Sequence, residues 1–177
     1  GVHHEGRPRD IDDGFAIVEA INSPDIELLA VTTVFGNGPL SEVDRVAREI
    51  IALKAAEVPV YSGASCALGE GDTDTRSNDA VDAIAGILRS RPAHIAAIGP
   101  LTNIGLLVRR HPDVLGSIES LIIVAGRTRG NRFYLGDTGP VRDFNFENDI
   151  AATQLLLDSG VPVVMAGFEL TSQVAVT

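Results

Sequence analysis

Apolar residues in this chain fall into short continuous runs separated by amphipathic stretches, and the two alternate almost from end to end. Asp12 to Ile21 has helical character, with Phe15, Ala16, Ile17, Val18, Ala20 and Ile21 in an apolar run, and stops at Asn22-Ser23-Pro24. Ile26 to Val34 is β-branched and apolar, which predicts a buried strand ending in the turn Phe35-Gly36-Asn37-Gly38-Pro39. Ser41 is then expected to cap a second helix with Val43, Val46, Ile50, Ile51 and Leu53 on one face. Val58 to Tyr61 reads as a strand, Ser62 to Arg76 as a loop, and Ser77 to Arg89 as a helix. His94 to Ile98 predicts a strand, and Gly99-Pro100-Leu101-Thr102-Asn103 a turn whose Thr102 and Asn103 cap a helix running to Arg110. Ser120 to Val124 is another buried strand, Arg127 to Asn145 a long polar loop, Asp149 to Ser159 a helix and Val161 to Ala166 a strand. Gly1 to Arg9 reads as polar loop with no strand in it.

Repeated strand-then-helix units with unbroken apolar strands predict an α/β fold: an open, mostly parallel, Rossmann-like sheet with helices on both faces. At 177 residues, with neither linker nor internal repeat, the chain is expected to form a single domain. In such sheets ligands bind at the carboxyl ends of the strands. That rule singles out Gly36-Asn37, Gly99 to Asn103, Val124 to Gly126, and Phe168 to Thr171. A net charge of −10 argues against a nucleic-acid partner. The single Cys66 excludes an internal disulfide framework and suits a reducing, cytoplasmic setting. No apolar run approaches the roughly 20 residues of a membrane span.

The densest chemistry lies in Arg9-Asp10-Ile11-Asp12-Asp13-Gly14, three carboxylates within four positions at the start of an apolar helix. Carboxylates there cap free N–H groups and suit the positive end of the helix dipole. One would satisfy that need; three repel one another unless a cation or a polyol gathers them. Capping and metal binding both remain open from this stretch alone.

Four motifs in order resemble the inosine–uridine-preferring nucleoside hydrolase family. Asp12-Asp13-Gly14-Phe15-Ala16-Ile17 is similar to the back half of its opening signature, Asp-Thr-Asp-Pro-Gly-x-Asp-Asp-Ala-x-Ala-Ile. Val31 to Asn37 resembles its second-strand motif, and Gly99 to Asn103 its Gly-Pro-Leu-Thr-Asn turn. Gly136 to Asn145 lines up on its Gly-Asn-x-x-Pro-x-x-Glu-Phe-Asn segment, with Asp137 in the Asn place, Asp143 in the Glu place, and Phe144 and Asn145 matching. The resemblance implies calcium-assisted hydrolysis of a ribonucleoside to ribose and free base, by a homo-oligomer (dimer or tetramer). It makes Asp13 and the Val124 carbonyl calcium ligands, Asp12, Asp13 and Asn37 catalytic, Asp12 and Asn37 also ribose-binding, and Asp137, Asp143 and Asn145 partners of the ribose hydroxyls. Asp143 in place of Glu shortens the reach by one methylene, so that contact would need a bridging water.

Departures accompany the matches. The first Asp-Thr-Asp, a distal Asp ligand, a leaving-group His and the His-Gly motif after the third strand have no counterpart, so the resemblance implies a domain incomplete at both ends. A catalytically silent nucleoside- or ribose-binding protein is therefore the competing expectation. A dinucleotide-binding domain is a third, carried only by the Gly-x-Gly of Gly36-Asn37-Gly38. His3 and His4 read as solvated loop residues, and Asp10 as a cap or a free loop carboxylate. Asp12, Asp13, Asn37, Val124 and Asp143 to Asn145 are expected to converge on one crevice.

Overall fold

The computed structural model describes residues 2–4, 7–9, 11–54, 56–69, 77–134 and 139–174, the first two segments by backbone alone. Strands β1 (Val2–His4) and β2 (Arg7–Arg9) pair antiparallel, with Val2 opposite Arg9. The expected loop is thus a hairpin; strands of three residues carry too few positions to show a period. Helix α1 (Asp12–Asn22) follows, then β3 (Val31–Thr32), α2 (Leu40–Leu53), β4 (Val60–Tyr61) and α3 (Asp79–Ser90). Next come β5 (Ala93–Ala97), α4 (Thr102–Arg110), a 3-10 turn at Pro112–Ser117, and β6 (Ile118–Ile123). A second short hairpin, β7 (Phe133–Tyr134) with β8 (Pro140–Val141), interrupts the polar loop before α5 (Phe144–Glu147), α6 (Ile150–Asp158), β9 (Val163–Met165) and α7 (Phe168–Thr171).

The α/β class holds, and every strand pair outside the two hairpins is parallel. Hydrogen bonding divides these strands into two blocks, β3–β4 and β5–β6–β9. The apolar run from Ile26 yields only two residues of strand, and Ile26 itself is 51% exposed. Helix α2 begins at Leu40 after Pro39, whose backbone is already turned at φ −58°, so Ser41 lies inside the helix rather than capping it. Asn78 caps α3 by accepting from Val81 N at 3.0 Å, and the helix begins at Asp79, two residues after the expected Ser77.

The main core lies between α3, α4 and α6 and one face of β5–β6–β9, with Val81, Ala85, Leu106, Leu107, Leu121 and Ile123 fully buried. Burying each large aliphatic side chain contributes roughly 1.5–3 kcal/mol. A smaller core joins α1 and α2 to the other block through Ile17, Ile21, Ala47, Ile51, Val31 and Val60. The face of β5–β6–β9 away from α3, α4 and α6 is the more open one. His94, Ala96, Ile122 and Val164 are exposed along it. No helix of the described residues is long and apolar enough to cross a membrane.

Candidate functional site

Loops after three strands meet the start of α5 at the carboxyl ends of the sheet, and Asn145 is where they join. Its Nδ2 donates to the carbonyl oxygens of Ile98 (3.0 Å) and Val124 (2.8 Å), tying the end of β5 to the end of β6. Asp143, only 6% exposed, holds the same junction from its other side. One carboxylate oxygen accepts from Phe146 N at 3.0 Å as the cap of α5, and the other accepts from Gly126 N at 2.5 Å. Gly126 has φ +92°, and a Cβ there would lie 2.5 Å from Met165 Cε, so only glycine suits the position. Gly36 lies against Phe144 and Pro100: a Cβ on it would come within 3.2 Å of the Phe144 ring and 3.5 Å of Pro100 Cγ. The loop carrying Asn37 is thereby brought to the Gly99-Pro100 turn and to the Asp143 to Asn145 segment.

The turn Gly99 to Asn103 works differently from a capping turn. Asn103 is buried; its Nδ2 donates to Thr33 O at 2.8 Å and its Oδ1 accepts from Ala64 N at 2.9 Å. One amide thus bolts the end of β3, the loop after β4 and the start of α4 together. Thr102, also buried, donates from Oγ1 to Asp149 Oδ2 at 2.6 Å, and the same oxygen accepts from Leu68 N at 2.9 Å. Asp149 caps α6 through its other oxygen, which accepts from Ala152 N at 2.8 Å. The expectation that Thr102 and Asn103 cap α4 is therefore corrected. Burial left their polar groups without water, and the available partners lay on other elements. Thr33 and Ser62 both donate hydroxyls to Asp44 and close the network beneath the site.

Asp12 and Asp13 occupy the first turn of α1, where Ile11 is the boundary residue and no side chain caps the helix. Their carboxylates suit the helix dipole there. The packing of α1 runs to α2 and the β3–β4 block through Ile17 and Ile21. Asp10 and Asp137 lie outside the described residues. Among the described residues no group of three or more His, Cys, Asp or Glu side chains is arranged to hold a metal ion.

One residue of the site escaped the sequence reading, which reached its loop but not its role. Glu169, in α7, accepts from Thr128 N at 2.8 Å and from Asn131 Nδ2 at 2.5 Å with one carboxylate oxygen. The Thr128 amide and, after it, the Asn131 side chain hold its carboxyl well below the ordinary range, at about 2. A hollow of about 370 Å³, lined by Gly126, Arg127, Thr128, Met165, Gly167 and Glu169 among others, opens beside this contact.

The sequence profile of the family described as "Inosine-uridine preferring nucleoside hydrolase" matches residues 8–177. The chain is 33% identical over 184 aligned residues to the pyrimidine-specific ribonucleoside hydrolase RihA of Salmonella agona (strain SL483), covering 90% of this chain and 58% of that protein. Among solved structures, it resembles the purine-preferring ribonucleoside hydrolase from Gardnerella vaginalis with a TM-score of 0.81 and 26% identity. That likeness covers 94% of this chain and 60% of the other. A plant nucleoside hydrolase gives a TM-score of 0.78 at 25% identity, over 93% of this chain and 58% of its own. The chain thus spans about three fifths of the length of the relatives it matches.

Proposed function

The chain belongs to the inosine–uridine preferring nucleoside hydrolase family, and from that premise we propose that its reaction is hydrolysis of the N-glycosidic bond of ribonucleosides to ribose and free base. The observation that carries this reading is the junction at Asn145, where the ends of β5 and β6, the Asp143 segment and the Asn37 loop converge in the crevice such sheets use for ligands. Glycosidic cleavage passes through an oxocarbenium-like sugar, so a rigid grip on the ribose hydroxyls lowers the barrier by fixing the anomeric carbon. Asn145, Asp143, Asp137 and Asp12 are assigned to that grip, while Asn37 is assigned a place beside the ribose and the attacking water. Asp143 spends two of its roughly four acceptor sites on backbone N–H groups, and the others are left for a hydroxyl or a bridging water.

The family resemblance further assigns a calcium ion to Asp13 and the Val124 carbonyl. The described residues do not fit such an ion, which takes about six to eight oxygen ligands. Among the described residues no group of three or more His, Cys, Asp or Glu side chains is arranged to complete such a set around Asp13 and the Val124 carbonyl. The second reading is a silent nucleoside- or ribose-binding protein. A homo-oligomer acting as one α/β domain in a reducing cytoplasm completes the proposal.

Ribose release from inosine and from uridine, followed with and without millimolar calcium and beside calorimetric binding of each nucleoside, tests it. Turnover with either nucleoside supports the hydrolase. Binding without turnover selects the silent binder, and neither binding nor turnover rejects both.

A further inference from the structure

The segment from Arg127 to Tyr134 leaves the end of β6 and leads toward the Asp143 to Asn145 grip, and it is held against α7 by several independent contacts. Glu169 accepts from the Thr128 amide and the Asn131 side chain at its centre. Phe168 N donates to Gly126 O at 2.9 Å at its base. Further along, the Phe133 ring lies 4.2 Å from the Phe168 ring, with the Arg127 guanidinium 5.1 Å above Phe133. Gly126 is therefore gripped from both sides, its carbonyl by α7 and its N–H by Asp143.

We infer that Glu169 is a positioning residue: its carboxylate clamps the 127–131 strap to α7 and so fixes Gly126, Asp143 and the Val124 carbonyl in the geometry that Asn145 reads. The contact is charge-assisted and bifurcated onto one oxygen, which makes it shorter and stronger than a neutral pair. It sits on the surface, so the strap is held by directed bonds and one aromatic pair rather than by burial. That the fixed geometry serves nucleoside binding rests on the hydrolase reading above; the clamp itself does not.

The experiment is amide NMR on the 177-residue chain and on Glu169→Ala and Glu169→Gln. Glutamine keeps an acceptor oxygen in the same place without charge, so it should restore what alanine removes. In Glu169→Ala at pH 7 the resonances of Thr128, and also of Gly126 N–H and the Asn145 side-chain amide, should shift. Exchange of the Thr128 and Gly126 amides should quicken about tenfold or more. Glu169→Gln should return all of them toward the wild-type positions. A clamp that is only local would move Thr128 and leave Gly126 and Asn145 unchanged, and that result overturns the positioning role.

A pH titration between 6 and 3 gives the second readout. A clamped carboxyl near 2 is only about one-tenth protonated at pH 3, whereas one at its ordinary 4.5 is almost wholly so. The folded value is the depressed one, so the clamp's contribution to stability is full above about 4.5 and fades as pH falls toward 2, while the carboxylate itself stays ionised over most of that window. Arg127 of the strap lines the same hollow as Glu169 and is itself paired with Glu147 of α5 at 3.8 Å. The Thr128 response is read against Glu169→Gln, where the Glu169 contribution is absent. A Glu169-dependent midpoint near 4.5 in the wild-type chain overturns the clamp. Ribose release assayed on the same samples bears on the hydrolase reading alone, so a silent enzyme with an intact clamp separates the two.

Discussion

Asn145 does with one side-chain amide what the ladder does not reach: the last ladder bonds run to Ala97 O and Ile123 O, and Asn145 holds the next carbonyl past each strand, Ile98 O and Val124 O. Removing that amide leaves two partly buried acceptors, each costing about 1–3 kcal/mol when desolvated and unpaired. Asn145→Ala is therefore expected to lower stability by roughly that amount, and to weaken nucleoside binding if the hydrolase reading holds. Asn145→Asp should be worse than alanine, since a carboxylate would face two carbonyl oxygens. Denaturant midpoints for the two variants check the order, and an aspartate variant as stable as wild type would refute the geometry. Asp143→Asn makes the complementary case. Its two oxygens accept from two different N–H groups, and an amide supplies only one oxygen. A loss of about 0.5–2 kcal/mol, the usual range for a helix cap, is expected from thermal unfolding.

Between elements, the site depends on close approach at the end of β3. A Cβ on Gly63 would lie 2.1 Å from Thr33 O and 2.3 Å from Asn103 Nδ2, so Gly63→Ala must push β3 from α4 or break the Asn103 bolt. Overpacking of this kind costs about 1–3 kcal/mol, and the lost hydrogen bonds add to it. Equilibrium unfolding of Gly63→Ala measures the sum, and a neutral result would show that the bolt is not closed. The legibility of these elements followed the physics of each. The helices α1, α2, α4 and α6 were readable because an apolar face repeating over nine or more residues specifies its own period. The strands β1, β2, β7 and β8 were not, since two or three residues become strand only when a partner pairs with them. The Ile26 to Val34 run overstated β3 because apolar β-branched residues also pack outside a ladder. At the site, the motif Gly99 to Asn103 was visible as a turn, but its chemistry was not. Whether Asn103 caps its own helix or crosses to Thr33 is decided by tertiary distance, which spacing along the chain does not encode. Glu169 was hidden for the same reason, its partners being 38 and 41 residues away.

Across the whole molecule the asymmetry of the larger block sets the last expectation. Leu121 and Ile122 are neighbours on β6, yet Leu121 is fully buried against the helical core and Ile122 is 36% exposed on the uncovered face. Register places Ile122 between Ala96 of β5 and Val164 of β9, and Val164 is 56% exposed. Alternation along one strand thus divides a core face from a face open to water, although both faces are made of the same residue types. Leu121→Ala should cost about 2–5 kcal/mol, the range for emptying a packed site. Ile122→Ala removes a similar side chain from a place where it touches fewer neighbours, and a cost below about 1 kcal/mol is expected. Chemical unfolding of both variants at two protein concentrations makes the comparison. If Ile122→Ala proves as damaging as Leu121→Ala, something covers that face in solution, and a cost that grows with concentration would identify the cover as a second copy of the chain. If the costs separate as expected at both concentrations, the block is stabilised from one side only, by α3, α4 and α6. Val164→Lys should then be tolerated with little change in stability, because its ammonium reaches water from the outset.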